Sequence, residues 1–330
     1  MKLINGFHHT PGHHCGSTAM RDLLNYAGLD FSEAMCFGLG SGLGFYYFKG
    51  TPDQSPSHLF FGRTATLEHD LGMHLALDFE EGTDTDAERA WRTAQAWLDR
   101  DVPLLLHVEL SQLPYYHTRT PFPGHRVVLA GYDDARGIAF LADTQFPGLQ
   151  EVTYATLRAA RTAQIPPIPL HNEWLAVISA RASRPLANAL VIALRENALA
   201  MTRSPTPQQG LRGMKTLAED FKNWGDTPDW VRCAHVGYQN IQVRGTGGGF
   251  FRQMYAQFLR EAETIDERWR AAQLAEKMEE IAGEWKRLGQ LLQRIAMEQD
   301  RAVFADASRA MQHLAQREAD FWEQVLDVVK

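Results

Sequence analysis

The chain changes character near residue 180, and this change constrains the fold more than any other feature of the sequence. Before it, short apolar runs alternate with segments rich in glycine and proline; after it, the sequence is charged and periodic in the manner of long helices. Residues 278–295 form a periodic stretch with apolar residues spaced as in a heptad seam: Met278, Ile281, Trp285, Leu288, Leu292 and Ile295. A second periodic stretch, residues 304–325, can fold back on this first one. We therefore predict two domains, residues 1–182 and an all-α helical domain of residues 183–330.

The first domain is predicted to belong to the α+β class. Apolar residues at helical spacing over residues 14–28 predict a helix that begins near Cys15, and residues 86–100 predict a second, amphipathic helix. Short apolar runs at residues 103–109, 126–132 and 138–142 are typical of buried strands, and DDARG between the last two indicates a hairpin turn. Helices that precede strands in this order favour an α+β domain.

Composition and charge exclude several classes of protein. The net charge of −7 provides no field that would gather nucleic acid or anionic lipid. Three cysteines cannot form a disulfide framework, and they fit a reducing compartment. No apolar run reaches the length of about 20 residues that a membrane span needs, and the first residues lack the apolar core of a signal peptide. We expect a cytoplasmic protein with no membrane span and no nucleic-acid partner.

Cys15 is the first candidate nucleophile. A thiol at a helix N-terminus meets the positive end of the helix dipole, which lowers the thiol pKa. His125 begins one predicted strand and Asp143 follows the next, so a single hairpin can place an imidazole beside a carboxylate. The alternative is that Cys15 is a small buried hydrophobe, as we predict for Cys36 and Cys233.

Longer motifs show a resemblance to a known family. A cysteine that opens a helix, a histidine that leads a VVLAGYD strand and a later aspartate resemble papain-like cysteine enzymes, including the bacteriocin-leader-processing peptidases. HCGSTAMRDLLNYAG and SEAMCFGLGSGLGFYYF together resemble the N-terminal domain of the butirosin biosynthesis protein H family. RGTGGGFFRQMYAQFLREA resembles the helical domain that often follows it. The resemblance implies a papain-like fold and an enzyme that transfers an acyl group from an acyl carrier protein thioester to an amine.

The resemblance also implies roles for individual residues. Cys15 takes the acyl group, His125 acts as general base and acid, and Asp143 orients His125. Papain-like peptidases have a glutamine six residues before the nucleophile that helps to hold the oxyanion, and His9 occupies that position here. Either His9 donates to the oxyanion instead, or the site uses the backbone N–H of Cys15 and another donor. Oxyanion or supporting roles are therefore expected for His9, His14 and Gly16.

Acyl transfer without hydrolysis requires a dry acyl pocket. The apolar segment 37–48 is predicted to be a loop that lines this pocket, and its alternate glycines indicate close backbone approach or unusual dihedral angles. Tyr115 and Tyr116, which shortly precede His125, either position the acceptor or simply pack. The predicted substrate-binding residues are Phe37, Leu39, Phe45, Tyr46, Tyr115 and Tyr116.

A second glycine cluster, GTGGG at residues 245–249, precedes a predicted helix. Glycines that lead into a helix N-terminus can bind an anion, which suits the phosphate of a phosphopantetheine arm. The alternative is a tight turn between the two domains. The candidate phosphate site consists of Arg244, Gly247, Gly248 and Arg252. A further set of arginines either forms a basic face that binds an acidic carrier protein or lies on an ordinary solvated helix face. These are Arg252, Arg260, Arg268 and Arg270.

No metal or resident cofactor is expected. Several histidines lie near Cys15, but adjacent histidines on one helical turn cannot readily all face one ion. The predicted function is a cysteine-dependent acyltransferase, whose partners are an acyl carrier protein or other acyl-pantetheine thioester and a small-molecule amine. A hydroxyl acceptor stays open. The alternatives are a cysteine hydrolase, either peptidase or thioesterase, with the same triad, or a non-catalytic binding module. The helix-rich C-terminal surface also favours a homodimer.

Overall fold

The computed structural model describes residues 1–51, 54–166, 168–181 and 183–330, and the chain forms two compact units. Unit 1 consists of Met1–Cys36 and Leu75–Arg184, and unit 2 consists of Phe37–His74 and Pro185–Lys330. The units are therefore not contiguous in sequence, because residues 37–74 pack with the C-terminal helices. Residue 182, at the predicted domain boundary, lies outside the described residues, and the division of the chain into contiguous domains there stays a prediction.

The secondary structure elements are numbered in chain order. The strands are β1 (Lys2–Leu3), β2 (Leu43–Lys49), β3 (His58–Arg63), β4 (Asp78–Gly82), β5 (Leu104–Val108), β6 (His125–Asp133), β7 (Ile138–Ala142), β8 (Gln150–Thr153) and β9 (Trp174–Ser179). The helices are α1 (Cys15–Tyr26), α2 (Glu33–Leu39), α3 (Leu67–Leu75), α4 (Ala87–Asp99), α5 (Tyr154–Arg161), α6 (Leu186–Thr202), α7 (Gly210–Trp224), α8 (Trp230–Gln242), α9 (Arg252–Ala262), α10 (Glu267–Ala271), α11 (Leu274–Glu298) and α12 (Phe304–Val328). Short 3₁₀ turns cover Leu110–Gln112, Pro114–Tyr116 and Arg301–Val303.

An antiparallel sheet of seven strands forms the centre of unit 1. Its order is β4-β9-β5-β6-β7-β8, and β1 pairs with the second half of β6. The three strands predicted from apolar runs are β5, β6 and β7, which lie side by side. Almost every residue of these three strands is buried, because α1 packs against β5 and β6 and α5 against β5 and β7. A buried strand has no polar face, which is why these strands read as continuous apolar runs.

The predicted hairpin joins β6 to β7. Asp133 pairs with Ile138, and the Asp133 carboxylate accepts a hydrogen bond from the backbone N–H of Ala135 at 3.1 Å. Gly137 closes the turn at a φ of +65°, a conformation that favours glycine. The turn brings the start of β6 and the end of β7 to the same edge of the sheet, where His125 and Asp143 lie.

Helix α1 begins at Cys15, as the periodicity predicts. The side chain of His14 caps the helix by accepting a hydrogen bond from the backbone N–H of Ser17. The helix ends at Tyr26, and Gly28 follows at a φ of +94°. The first turns of α1 are buried, so Cys15 is held on a packed helix rather than on an exposed loop.

Unit 2 contains helices α6–α12, the two-stranded sheet of β2 and β3, and most of α3. All six residues of the heptad seam are buried in α11, and α11 packs against α12, which confirms the predicted intramolecular pairing. The turn between the two helices needs neither glycine nor proline. Gln299 adopts a φ of +54°, and the Asp300 side chain then accepts a hydrogen bond from the N–H of Ala302.

The glycine-rich segment 37–48 is not a loop, contrary to the prediction. Its first residues end α2 and its last residues form β2. The alternate glycines serve close approach: a Cβ at Gly38 would lie 2.0 Å from the Phe258 ring, and one at Gly40 would lie 2.5 Å from the Leu67 carbonyl oxygen. Apolar residues that read as a pocket lining are therefore largely the core of unit 2.

The chain is thus a mixed α/β protein, with a sheet-containing N-terminal part and a helical C-terminal part. Within the described ranges, no helix combines the length and the apolar character that crossing a membrane requires.

Candidate active site

Three predicted site residues meet at one edge of the unit 1 sheet. Cys15 is the first residue of α1, His125 is the first residue of β6, and Asp143 directly follows β7. Because β6 and β7 are adjacent and antiparallel, the start of one strand lies beside the end of the other. The exposed fractions of Cys15, His125 and Asp143 are 8%, 4% and 1%, so the cluster is almost closed to solvent.

The His125 ring contacts the carboxylate of Asp143. Nε2 of His125 lies 2.9 Å from Oδ1 and 3.0 Å from Oδ2 of the Asp143 carboxylate. A hydrogen bond to the Cys15 side chain also contributes to the raised pKa of His125. The Cys15 thiol also donates to the carbonyl oxygen of Gly124 at 4.0 Å. This arrangement aligns a thiol, an imidazole and a carboxylate in the order that nucleophilic catalysis requires.

Electrostatics favours a charged His125. Burial by itself lowers the pKa of an imidazole, but the charge and hydrogen bond of Asp143, together with Cys15, outweigh burial and raise the pKa of His125 to about 10. Burial likewise opposes ionisation of Asp143, yet the charge of His125 and three hydrogen bonds hold the pKa of this carboxyl below its usual value. His125 is therefore an imidazolium and Asp143 a carboxylate at neutral pH.

Tyr115 and Tyr116 also donate hydrogen bonds to the Asp143 carboxylate. The Tyr115 hydroxyl donates to Oδ2 and the Tyr116 hydroxyl donates to Oδ1, each at 2.8 Å. The edge of the Phe146 ring packs against both tyrosines, with ring centroids 5.0 and 5.3 Å apart. Burial, followed by the Asp143 charge, raises the pKa of both phenols, so both remain donors. These contacts make Tyr115 and Tyr116 positioning residues for Asp143, and contact with substrate stays a prediction.

We expect Tyr115→Phe and Tyr116→Phe each to slow alkylation of Cys15 by iodoacetamide about tenfold or more at pH 7. Each change removes a hydrogen bond to a charged group, which contributes about 1.5–3 kcal/mol. It also removes one cause of the low Asp143 pKa, so the rate should fall at a higher pH as the solution is acidified. A time course of alkylation, with samples quenched and analysed by peptide mass spectrometry, measures both effects.

Tyr132→Phe is the matched control, because the Tyr132 hydroxyl donates to the exposed carboxylate of Asp99 at 2.7 Å. Its alkylation profile should match that of the wild type. Identical profiles for all three variants would show that the tyrosines near Asp143 only fill space.

His9 is engaged on both sides of its ring. Nδ1 lies 2.5 Å from the Asp22 carboxylate and Nε2 lies 3.2 Å from the carbonyl oxygen of Asp143. His9 shares a small pocket with Cys15, but both of its ring nitrogens are engaged by these two partners. The oxyanion role of His9 stays a prediction, and the structure gives it a bracing role between α1 and Asp143.

His14 and Gly16 lie on either side of Cys15. His14 is the N-cap of α1, and Gly16 is a buried residue of its first turn. Their positions next to Cys15 agree with the supporting role predicted for them, and that role stays a prediction. Cys36 and Cys233 are buried thiols, and burial raises the pKa of Cys233.

Two glutamates near the site are not among the predicted site residues. The Glu33 carboxylate accepts from the backbone N–H groups of His13 and His14 at the start of α1. Oε1 of Glu109, a fully buried residue after β5, accepts from the N–H groups of Ser111 and Phe122, each at 2.9 Å. Glu109 thus ties together the two ends of the loop that carries the tyrosines. Glu33 acts on backbone 19 and 20 residues away, so no local pattern reveals this contact, whereas Glu109 caps the 3₁₀ turn that follows it and also reaches Phe122.

The predicted pocket residues of segment 37–48 lie in unit 2. Phe37, Leu39 and Phe45 have exposed fractions of 0%, 0% and 1%. Phe37 stacks on Phe251 with ring centroids 5.5 Å apart, and Phe45 packs against other core aromatic rings. Packing within unit 2 therefore accounts for these three residues, whereas Tyr46 is half-buried. Their contact with an acyl group stays a prediction.

The second glycine cluster is a turn within unit 2, not between domains. Gly247 and Gly248 adopt φ values of +65° and +84°. The N–H of Gly248 donates to the Thr246 hydroxyl, and the N–H of Gly249 donates to the Gln242 side chain, so both donors are occupied. A Cβ at Gly249 would lie 2.9 Å from the carbonyl oxygen of Ala282, which explains a glycine there.

Arg252 is not available to a phosphate, contrary to the prediction. Its exposed fraction is 0%, and its guanidinium pairs with Glu318 at 2.8 Å. Arg244 is exposed and donates to Gln239. The predicted basic face is likewise balanced by carboxylates: Arg260 pairs with Glu263, Glu276 and Glu279, Arg268 pairs with Asp266, and Arg270 pairs with Glu263.

Two family models match the chain. One, described as Butirosin biosynthesis protein H, N-terminal, matches residues 14–144, and the other, described as a Domain of unknown function (DUF4872), matches residues 155–325. No match to a curated protein was found. The first matched region contains Cys15, His125 and Asp143, and the second contains the long helices of unit 2. The chain therefore belongs to a family that combines a butirosin biosynthesis protein H-like N-terminal domain with a DUF4872 domain.

Proposed function

We propose that the chain is a cysteine-dependent acyltransferase with a papain-like catalytic architecture. The observation that carries the proposal is the His125 imidazole, held by Asp143 through Nε2 and hydrogen-bonded to the Cys15 side chain. The family relationship supports a biosynthetic role. The helix that presents Cys15 packs on the strand that begins with His125, which supports the papain-like comparison. The donor is an acyl-pantetheine thioester, such as an acyl carrier protein, and the acceptor is an amine on a small molecule.

The first step forms the acyl-enzyme. The Cys15 thiolate attacks the carbonyl carbon of the thioester, and the carbonyl electron pair moves to oxygen. When this tetrahedral intermediate collapses, the bond from carbon to the pantetheine sulfur breaks, and the His125 imidazolium gives its proton to that sulfur. The products are an acyl group on Cys15, a pantetheine thiol and a neutral His125.

The second step transfers the acyl group. The amine attacks the carbonyl carbon of the acyl-enzyme, His125 accepts the amine proton, and the Cys15 thiolate departs. An amide is released, and the thiolate and imidazolium are restored. Raised basicity suits His125 for this second step, because Asp143 stabilises the imidazolium that forms.

Burial of the site favours transfer over hydrolysis. The reacting groups Cys15 and His125 have exposed fractions of 8% and 4%, so little water surrounds the thioester that would form there. Excluding water protects a reactive intermediate from hydrolysis. A peptidase or thioesterase would use the same residues and differ in the second nucleophile.

Intact mass spectrometry tests this function. The purified protein is incubated with acyl thioesters of pantetheine, coenzyme A and a carrier protein. We expect the wild type to gain the mass of the acyl group, Cys15→Ala to gain none, and Cys233→Ala, which removes a buried thiol of unit 2, to match the wild type. Release of the acyl group as an amide on addition of an amine supports transfer, whereas release as a free acid identifies a hydrolase. An equal mass gain in Cys15→Ala, or none with any donor while Cys15 reacts normally with iodoacetamide, would overturn the proposal.

A further inference from the structure

One carboxylate organises the backbone that leads into Cys15. Oε1 of Glu33 accepts from the N–H groups of His13 at 3.0 Å and His14 at 2.7 Å, and from the hydroxyls of Ser17 at 3.2 Å and Thr18 at 3.1 Å. Oε2 accepts from the N–H of His13 as well, at 3.0 Å. The same carboxylate therefore contacts the residues before Cys15 and the first turn of α1 after it.

The residues around this carboxylate fit it closely. Gly12 lies against the cluster: a Cβ there would be 2.1 Å from the Thr18 hydroxyl and 2.7 Å from Oε2 of Glu33. Only glycine leaves room at this position, and the adjacent residues Ser17 and Thr18 at the start of α1 supply hydroxyl donors. Gly12, Ser17, Thr18 and Glu33 thus form one structural unit around Cys15, although Glu33 lies on α2.

The anchored segment also reaches the acid of the site. The N–H of Gly12 donates to the carbonyl oxygen of Thr144 at 2.8 Å, one residue after Asp143. The segment that Glu33 holds is therefore tied at one end to α1 and at the other to the end of β7. Its position sets how the Cys15 backbone lies relative to the residue that orients His125.

The charge of Glu33 acts against the thiolate. An anion at a helix N-terminus stabilises the helix, but it repels a second anion formed in the same first turn. Resting on the proposed role of Cys15 as the nucleophile, we propose that Glu33 is a positioning residue: it sets the backbone geometry of Cys15 at the expense of thiolate stability. Amide and alanine variants separate these two effects, because an amide keeps an acceptor oxygen and removes the charge.

The test measures the pH dependence of Cys15 alkylation by iodoacetamide in the full chain. In Glu33→Gln, the pH midpoint of alkylation should fall by about one unit, since the thiolate loses a neighbouring anion. In Glu33→Ala, the midpoint should fall as well, but acyl-enzyme formation should slow about 100-fold because the backbone loses its anchor. Glu33→Gln should retain at least about a tenth of the wild-type rate. Glu80→Gln, on the exposed strand β4 of the same unit, is the matched control and should change neither quantity.

The other groups that influence this midpoint are the same in every variant. The Cys15 thiol interacts with His125 and Tyr116, and Asp143 acts on it through His125. Other charged or titratable residues line the same pocket: His9, Asp22 and Arg126. His14 caps α1, and His107 is the titratable residue of β5, against which α1 also packs. A shift of the midpoint therefore reports the Glu33 charge.

The outcomes separate this inference from the proposed function. An unchanged midpoint in Glu33→Gln, or acyl-enzyme formation in Glu33→Ala within threefold of the wild type, would overturn the role of Glu33. Absence of an acyl-enzyme in the wild type would overturn the function instead, while alkylation still reads the effect of Glu33. If Glu33→Ala does not fold, Thr18→Val replaces it, because it removes one donor to the carboxylate and should slow acyl-enzyme formation by a smaller factor.

Discussion

Asp143→Asn is expected to lower the rate of acyl-enzyme formation at pH 7 by roughly 10³–10⁴-fold, the loss typical of an amide in place of a triad carboxylate. Asp143 supplies the charge that raises the His125 pKa to about 10, against burial that lowers it. Without that charge, burial is opposed by Cys15 alone among these causes, and the His125 pKa falls. Less of the imidazolium that protonates the departing sulfur then remains at neutral pH.

The pKa of His125 sets the pH range over which acyl-enzyme formation should persist. A group whose pKa is raised stays protonated up to that pKa, so acyl-enzyme formation in the wild type should persist with rising pH until about pH 10. In Asp143→Asn, the same basic limb should begin at a lower pH, because burial then opposes the imidazolium without the Asp143 charge. Rates from quenched incubations analysed by intact mass spectrometry measure both limbs.

Asp99→Asn is the matched control for Asp143. Asp99 also accepts a tyrosine hydroxyl, from Tyr132 at 2.7 Å, but it is exposed at the end of α4. Its profile should equal that of the wild type. A rate for Asp143→Asn within about threefold of the wild type, with an unchanged basic limb, would contradict the role of Asp143.

Glu318→Ala is expected to lower the free energy of unfolding of the full chain by about 3–5 kcal/mol, because it leaves a buried cation without its partner. Arg252 and Glu318 both have exposed fractions of 0%, and two N–O contacts of 2.8 and 2.9 Å join them. The Trp285 indole N–H donates to the same carboxylate at 2.7 Å. Three further hydrogen bonds of the guanidinium, to carbonyl oxygens, do not neutralise its charge.

Urea unfolding followed by tryptophan fluorescence measures this effect, since Trp285 and Trp224 are buried in unit 2. Glu279→Ala is the surface control: Glu279 pairs with Arg260, both partners are exposed, and its loss should lower the free energy of unfolding by less than about 1 kcal/mol.

A double variant keeps the test informative if Glu318→Ala does not fold. Arg252→Met with Glu318→Leu replaces the ion pair by apolar side chains and should be at least about 2 kcal/mol more stable than Glu318→Ala. Equal stability of the single and double variants, or a single variant close to the wild type, would show that the pair is not an isolated buried charge pair.

Local patterns in the sequence determined much of unit 1. The apolar runs predicted β5, β6 and β7, and DDARG predicted the turn between β6 and β7. The helical spacing after His14 predicted that α1 begins at Cys15. Each of these features depends on neighbours within a few residues, so the sequence pattern contains the physical cause. The approach of His125 to Asp143 follows from the hairpin alone.

The sequence pattern also predicted the helix pair α11 and α12, but it did not predict how unit 2 uses its other apolar residues. Phe37 and Phe45 are as apolar as a pocket lining, and only the packing of the fold shows that they belong to a core. Arg252 likewise is a residue type that is typical of an exposed helix face. Its burial depends on Glu318, which lies 66 residues away in sequence.

The positioning residues show the same limit most clearly. Glu33, Tyr115 and Tyr116 act on atoms 15 to 28 residues away in the chain. No periodicity or capping rule relates such residues, because the distance between them is set by how α1, α2 and the strands pack. The sequence by itself determined the secondary structure around Cys15, His125 and Asp143. Only the tertiary structure decided which carboxylates and hydroxyls hold these residues in place, since hydrogen bonds between distant segments form only after packing brings the segments together.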